Sequence, residues 1–258
     1  MKMELADKVI IVTGAASGIG AAIARRAAAE GVGALVLTDR HADGCGRLAD
    51  ELVGATEMCC VPADLAEDTA PQRIAQAAVA RFGRIDGLVN AAGLTTRGSV
   101  LTGTAAIWDQ LFAVNARAGF FLMQAAIADM LARDAAGSVV NILSLHAHCG
   151  HPDLAIYAGS KAAMATLTRN AAHAHMADRI RVNAINLGWV ATEAEHRMQA
   201  EILGKGPDWQ AQAAAAMPLG RLVTAEETAK LAVFLLGGAS APMSGAVIDF
   251  EQRVAGAI

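Results

Sequence analysis

At 258 residues the chain has the size of one α/β domain, and much of its 54% hydrophobic content is alanine and valine. It holds no uninterrupted apolar stretch of about 18 residues, and Met1–Lys8 lacks the apolar core and cleavage site of a secretion signal, so no membrane span is expected and a cytoplasmic location is. A net charge of −4 disfavours nucleic acid or an anionic membrane as partner, while Cys45, Cys59, Cys60 and Cys149 show neither CxxC nor metal-like spacing with histidine, which reads as buried free thiols in a reducing compartment.

Short β-branched runs then alternate with alanine-rich helical patterns. Val9–Thr13 is a predicted strand, followed by a glycine-rich turn and a helix over Gly18–Ala29. Strands follow at Ala34–Thr38 and Glu57–Pro62, then a helix over Pro71–Phe82 and a strand at Ile85–Asn90. A long helix over Thr104–Arg133 leads to a strand at Ser138–Leu143. A helix at Ala155–Met176, a strand at Arg181–Asn186, a helix at Ala225–Leu236 and a strand at Ala246–Phe250 complete the series. Strands apolar on both faces and separated by helices call for a parallel sheet covered on both sides. With right-handed crossovers this becomes a doubly wound, Rossmann-like α/β fold of seven strands, mostly parallel. No linker, composition break or repeat divides it. The expectation is one domain over 1–258, with a cofactor-binding half of about 1–150 and a catalytic and lid half of about 151–258.

Thr13-Gly14-Ala15-Ala16-Ser17-Gly18-Ile19-Gly20 links the first strand to the first helix. Glycines let backbone turn sharply and approach a pyrophosphate, and the helix N-terminus offers unpaired N–H groups to that anion. This makes Gly14, Ser17, Gly18, Ile19 and Gly20 the candidate phosphate contacts of a dinucleotide. Asp39 ends the second strand, where a carboxylate accepts hydrogen bonds from a ribose and repels a 2′-phosphate, which favours NAD. Arg40 keeps NADP open as the alternative.

Tyr157 and Lys161 lie one turn apart on the helix after the fifth strand, so they share a face. An ammonium near a phenol is expected to lower its pKa toward the working pH, and Ser144 at the end of the fifth strand is able to reach the same point.

The ordered set Thr13-Gly14-xxx-Gly18-x-Gly20, Asn90-Ala91-Ala92-Gly93, Asn115, Ser144 and Tyr157-xxx-Lys161 resembles the short-chain dehydrogenase/reductase family over essentially the whole chain. The resemblance implies an oxidoreductase that interconverts a secondary alcohol and a ketone. Tyr157 would take the hydroxyl proton as hydride passes to the nicotinamide. Lys161 would bind the nicotinamide ribose, Ser144 would orient the substrate oxygen, and Asn115 would bend its helix and hold a relay water. Asp64 and Leu65 would meet the adenine, Asn90 and Gly93 would floor the cofactor site, and Val190 and Thr192 would meet the carboxamide. Relatives of this kind often form homotetramers, which is the expectation here.

Two departures from the family pattern bear on the substrate. Asn186-Leu187-Gly188-Trp189 carries leucine where the family usually has proline, freeing a backbone N–H and relaxing the turn. The end, Ile248-Asp249-Phe250-Glu251, replaces a common Asp-Gly-Gly. Trp189 reads either as a substrate contact or as a hydrophobic plug. The lid at 192–218 carries Glu193, Glu195, His196 and Arg197, followed by Trp209; Glu193 and His196 are candidate substrate residues, with a solvated helix face as the alternative. Among His146, His148 and His151, His146 is the candidate pocket residue, and no complete ligand set for a metal is seen. The substrate expected is a sugar, polyol or small hydroxy compound. The alternatives are an NADPH-linked ketone or 3-ketoacyl reductase and a dinucleotide-sensing protein without catalysis.

Overall fold

The computed structural model describes residues 4–254, so Met1–Met3 of the segment read for a leader and the ends of the 1–258 span lie outside the described residues. In chain order the elements are β1 (Val9–Thr13), α1 (Gly18–Ala29), β2 (Ala34–Thr38), α2 (Ala42–Glu51), β3 (Glu57–Cys60), α3 (Ala70–Phe82), β4 (Gly87–Asn90) and α4 (Ala105–Phe112). After a π-helical turn at Ala113–Arg117 come α5 (Ala118–Ala132), β5 (Gly137–Ser144), α6 (Ala155–His175), β6 (Ile180–Leu187), β7 (Val190–Ala191) and α7 (Glu193–His196). A second π-helical turn, Arg197–Ile202, precedes α8 (Trp209–Ala215), β8 (Val223–Thr224), α9 (Ala225–Leu236) and β9 (Val247–Phe250).

The main sheet has the order β3-β2-β1-β4-β5-β6-β9 and every pair in it is parallel. All five residues of β1 are buried, as a central parallel strand requires. Successive side chains face opposite ways. Ile10 and Val12 therefore pack with α1 and α9, while Val9 and Ile11 pack with α3 and α5 on the other face. Full burial of one such isoleucine stabilises by about 1.5–3 kcal/mol. The single Rossmann-like domain expected from the strand pattern is the domain observed.

Three differences from the sequence reading have physical causes. The long helix predicted over Thr104–Arg133 runs continuously from Ala105 to Ala132 but widens into the π turn at its middle. By length and composition it is apolar enough to cross a membrane, yet half of its most apolar window is buried inside the fold, where it serves as a core helix. Next, β5 and β6 each extend beyond their predicted ends, pairing Ser144 with Leu187 and Leu187 with Phe250. A proline at 187 would have removed a ladder donor; leucine lets the strand continue. Finally, α2 and the small β7–β8 sheet went unread, the first for its two internal glycines and the second because two-residue strands leave no periodic signal.

The carboxyl ends of β1, β2, β4, β5 and β6 all point to one rim. The order reverses between β1 and β4, opening the crevice in which a doubly wound sheet binds ligands.

Candidate active site

That rim borders a cleft of about 1210 Å³. Its floor begins at the β1–α1 turn. Gly14 has a φ of +66°, and a Cβ there would lie 2.9 Å from the Ala92 backbone. A Cβ on Gly20 would stand 2.2 Å from the Gly14 carbonyl oxygen, so the turn closes only without one. Thr13 locks the floor from below, its Oγ1 accepting from the N–H groups of Ala91 and Ala92 at 3.0 Å each. Ser17 caps α1 by backbone alone, with no side-chain cap bond, which leaves the first-turn N–H groups directed at the cleft. Gly14, Ser17, Gly18, Ile19 and Gly20 all line the cleft, as do Asp64, Leu65 and Gly93. Asn90 instead sits beneath the floor, donating to Asn141 Oδ1 at 2.8 Å.

Asp39 lies at the far end of the cleft. Its Oδ2 accepts from Ala16 N–H at 3.2 Å and its Oδ1 from His41 N–H at 2.9 Å, which fixes the carboxylate with lone pairs to spare. Arg40 is exposed on the same wall, its Nε directed at His41 Nε2 at 3.3 Å. These residues suit a nicotinamide dinucleotide: a side-chain-free cradle at a helix N-terminus, and an anchored acid one strand away.

At the opposite end Tyr157 and Lys161 are both buried on α6. Lys161 Nζ donates to Ile142 O at 2.9 Å and lies 5.9 Å from the Tyr157 ring centroid. Burial pulls its pKa down to about 8. For Tyr157, burial is the leading influence and raises the phenol pKa, while a hydrogen bond with Ser144 lowers it. Lys161 is not among the influences acting on the phenol. The lowering expected from the ammonium is therefore not what the site shows: desolvation raises the phenol, and Ser144 and Arg97 are the groups that pull it down. His146 meets the Tyr157 ring edge-on, 6.1 Å between centroids, and donates its N–H to Ser144 Oγ at 3.2 Å. Burial lowers the imidazole pKa and favours the neutral ring.

Asn115 occupies the π turn between α4 and α5. Its amide grips Leu94 from both sides, Oδ1 accepting from Leu94 N–H at 2.8 Å and Nδ2 donating to Leu94 O at 2.9 Å. The same Nδ2 donates to Ser160 Oγ at 3.0 Å. One residue thus ties the bent helix to the cleft floor and to α6. Behind it a cavity of about 10 Å³, lined by Asn90, Asn115 and Lys161, has room for about one water.

The lid is arranged differently from its sequence reading. Trp189, Val190 and Thr192 line the cleft. Glu193 and His196 are exposed and are not brought to it; His196 Nδ1 instead accepts from Trp209 Nε1 at 2.9 Å. Glu195 and Gln199 face the cleft in their place. Helical spacing explains the swap, since α7 and the π turn after it turn 195 and 199 to one side and 193 and 196 to another. Glu195 Oε1 accepts from Trp189 Nε1 at 2.8 Å and from Gln199 Nε2 at 2.7 Å.

The two departures from the family pattern meet each other. Glu251 Oε2 accepts from Trp189 N–H at 2.8 Å, and a Cβ on Gly188 would fall 1.6 Å from that oxygen. The turn that was expected to relax without its proline is held by a carboxylate from β9's end. His148 likewise turns away from the cleft, bonding Asp249 Oδ1 at 2.8 Å. Among the described residues no group of three or more His, Cys, Asp or Glu gathers to hold a metal. Arg97 and Gln199 line the cleft without having been singled out, while Glu195 of the polar lid and Glu251 of the altered C-terminal run line it without having been given a role. Only Arg97 carried a signal, as a cation close behind the Asn90–Gly93 turn.

Comparison with known proteins places this geometry. Residues 14–251 match the family model described as Enoyl-(Acyl carrier protein) reductase. The chain is 35% identical over 253 residues to the 2-(S)-hydroxypropyl-CoM dehydrogenase 3 of Xanthobacter autotrophicus, covering 97% of this chain and 98% of that protein. It is 32% identical to the sorbitol dehydrogenase of Cereibacter sphaeroides, over 90% and 91% of the two chains. The L-sorbose reductase of Gluconobacter frateurii, solved with NADPH and L-sorbose, superposes with a TM-score of 0.93 at 26% identity over all of both chains. From the glycine turn to the closing strand, this chain belongs to the short-chain dehydrogenase/reductase family, as an NAD(P)-dependent oxidoreductase of alcohols.

Proposed function

We propose that the protein is an NAD-dependent dehydrogenase of a secondary alcohol on a sugar, polyol or other small hydroxy compound. The observation that carries this reading is Tyr157, buried beside Ser144 and above Lys161 where the dinucleotide cleft meets the lid. When bound, the nicotinamide supplies the hydride acceptor.

In this reading the phosphates lie on Gly14, Ser17, Gly18, Ile19 and Gly20, with Asp39 on the ribose and Asp64 and Leu65 at the adenine. Asn90 and Gly93 support the floor, and Val190 and Thr192 hold the carboxamide end. Ser144 Oγ orients the substrate oxygen, and Tyr157 Oη takes its proton as the carbinol carbon is oxidised. Lys161 passes that proton toward solvent through the small cavity behind Asn115. His146 and Trp189 touch the substrate; Glu193 and His196, turned outward, do not.

Glucose-like sugars, alditols, hydroxy acids and simple alcohols, each offered with NAD, should separate at once into turned-over and ignored classes when NADH is followed at equilibrium pH. Tyr157→Phe should abolish turnover of whichever class is used while calorimetry still detects NAD(H) binding. Retained turnover in that variant refutes the mechanism.

NADP is the second reading for the cofactor, favoured by Arg40, whose guanidinium has His41 as its one partner among the described residues. Homotetramer formation in the cytoplasm is also part of the proposal. Exposed apolar residues on α4 and α5, Trp108, Phe120 and Phe121, supply surface for a second copy to cover.

A further inference from the structure

Two opposite charges that do not pair with each other, Arg97 and Glu195, line the cleft that also holds Tyr157. Both bear on the phenol: Arg97 lowers its pKa and Glu195 raises it. They come from different walls of the cleft. Arg97 belongs to the β4–α4 loop and Glu195 to α7 of the lid.

Arg97 is held firmly. Its neighbour Gly98 donates its N–H to Asp153 O at 2.8 Å and accepts from Ile156 N–H at 3.3 Å, so the loop is stitched to the start of α6 one residue before Tyr157. The guanidinium is half-buried, and its hydrogen-bond partner among the described residues is a single carbonyl, Thr95 O, at 2.9 Å. An arginine has five N–H donors in a planar fork, so most of them have no partner among the described residues. A half-buried guanidinium that lines the cleft with no carboxylate partner among the described residues is placed to meet an anion.

Glu195 is equally fixed. Its N–H donates to Thr192 Oγ1 at 3.2 Å, and Trp189 and Gln199 both bond Oε1, so that Oε2 has no partner among the described residues. A substrate lying between these walls meets a charged donor at one end and a charged acceptor at the other.

Resting on the dehydrogenase reading above, we propose that the substrate is a polyhydroxylated carboxylic acid whose carboxylate is bound by Arg97 and whose outer hydroxyl donates to Glu195 Oε2. A planar carboxylate matches one guanidinium fork. A phosphate dianion would be repelled by Glu195 and would call for a second cation on the Arg97 wall. A neutral polyol would leave the guanidinium unsatisfied. The reaction stays balanced as before: the carbinol becomes a ketone, its hydride goes to the nicotinamide and its proton to Tyr157.

The test compares aldonates with alditols of equal carbon number, assayed with NAD and with NADP. The parent enzyme should favour the aldonate by at least tenfold in kcat/KM. In Arg97→Gln that preference should shrink by about 10- to 100-fold, chiefly through the aldonate's KM. Should Arg97→Gln fail to fold, the parent alone still decides. Short carboxylates without a hydroxyl should then inhibit competitively against the alcohol, and their primary amides should not.

Equal or better use of the alditol by the parent overturns the proposal, as does an Arg97→Gln variant that loses both substrates in proportion, or equal inhibition by acid and amide. In those cases alcohols still turn over and the dehydrogenase reading survives. If the cofactor binds yet no alcohol in any class is oxidised, the dehydrogenase reading itself falls and takes the proposal with it.

Discussion

Burial works against Tyr157 as a base, and its neighbours offset that burden unevenly. Ser144 and Arg97 pull the phenol pKa down while desolvation and Glu195 push it up, so the proton is released only at the alkaline side of neutrality. Alcohol oxidation should therefore accelerate as pH rises, and ketone reduction, which uses the protonated phenol, should fall; kcat/KM measured in both directions against pH checks this. Lys161 adds a stability signature. Its folded pKa of about 8 is below the ordinary 10.5, so between those values the unfolded chain binds the proton that the folded one releases. Stability assigned to this group therefore rises with pH across that window, by at most about 3 kcal/mol. Denaturation midpoints of the parent and Lys161→Met should diverge in pH slope above pH 8, and parallel slopes would remove the buried ammonium from the account. Cofactor choice is also a matter of single residues. Asp39→Ala should relax preference for NAD over NADP by about tenfold, with Arg40 then free to take the 2′-phosphate; unchanged preference counts against the ribose contact. Tyr157, Lys161 and Asp39 were legible because type and spacing alone define their chemistry. Arg97 and Glu195 were not, since a loop arginine and a lid glutamate gain meaning only from the wall that they face.

The elements explain why the cradle tolerates so little change. Gly20 sits in the first turn of α1 with the Gly14 carbonyl where its Cβ would go. Gly20→Ala must open the β1–α1 turn, and cofactor affinity should drop at least tenfold, read by calorimetry, with a smaller loss of melting temperature. An unaltered Kd would show that the turn is softer than its contacts indicate. The π turn at Ala113–Arg117 is the counterpart at the catalytic end. A regular helix would rotate Asn115 away from Leu94, so the extra residue per turn is what lets one amide clamp both N–H and C=O. Helix α1 was read to the residue because a glycine turn and an unbroken alanine pattern bound it. The break in the long helix was implied only through Asn115, because its hydrophobic pattern runs straight across the turn.

For the whole molecule, the doubly wound parallel sheet of seven strands followed from buried strands and right-handed crossovers, and a solved structure superposes on it over the full length. Assembly is less readable from one chain, because the exposed face of a helix is not distinguished by its periodicity from a face covered by a second copy. If the tetramer proposal is correct, Trp108→Glu or Phe121→Glu should shift light-scattering mass from four chains toward fewer. The parent eluting as a monomer would dismiss the assembly.

Glu251 reaches back from the last strand to hold the Gly188–Trp189 turn. Synthesis runs from the other end. A chain folded only from β1 through α6 would own its glycine cradle and its tyrosine, but the turn before the lid would still be slack. The anchor of the lid turn is thus supplied only after the glycine cradle and the tyrosine have been made, so the dinucleotide pocket precedes the fixed substrate side in chain order.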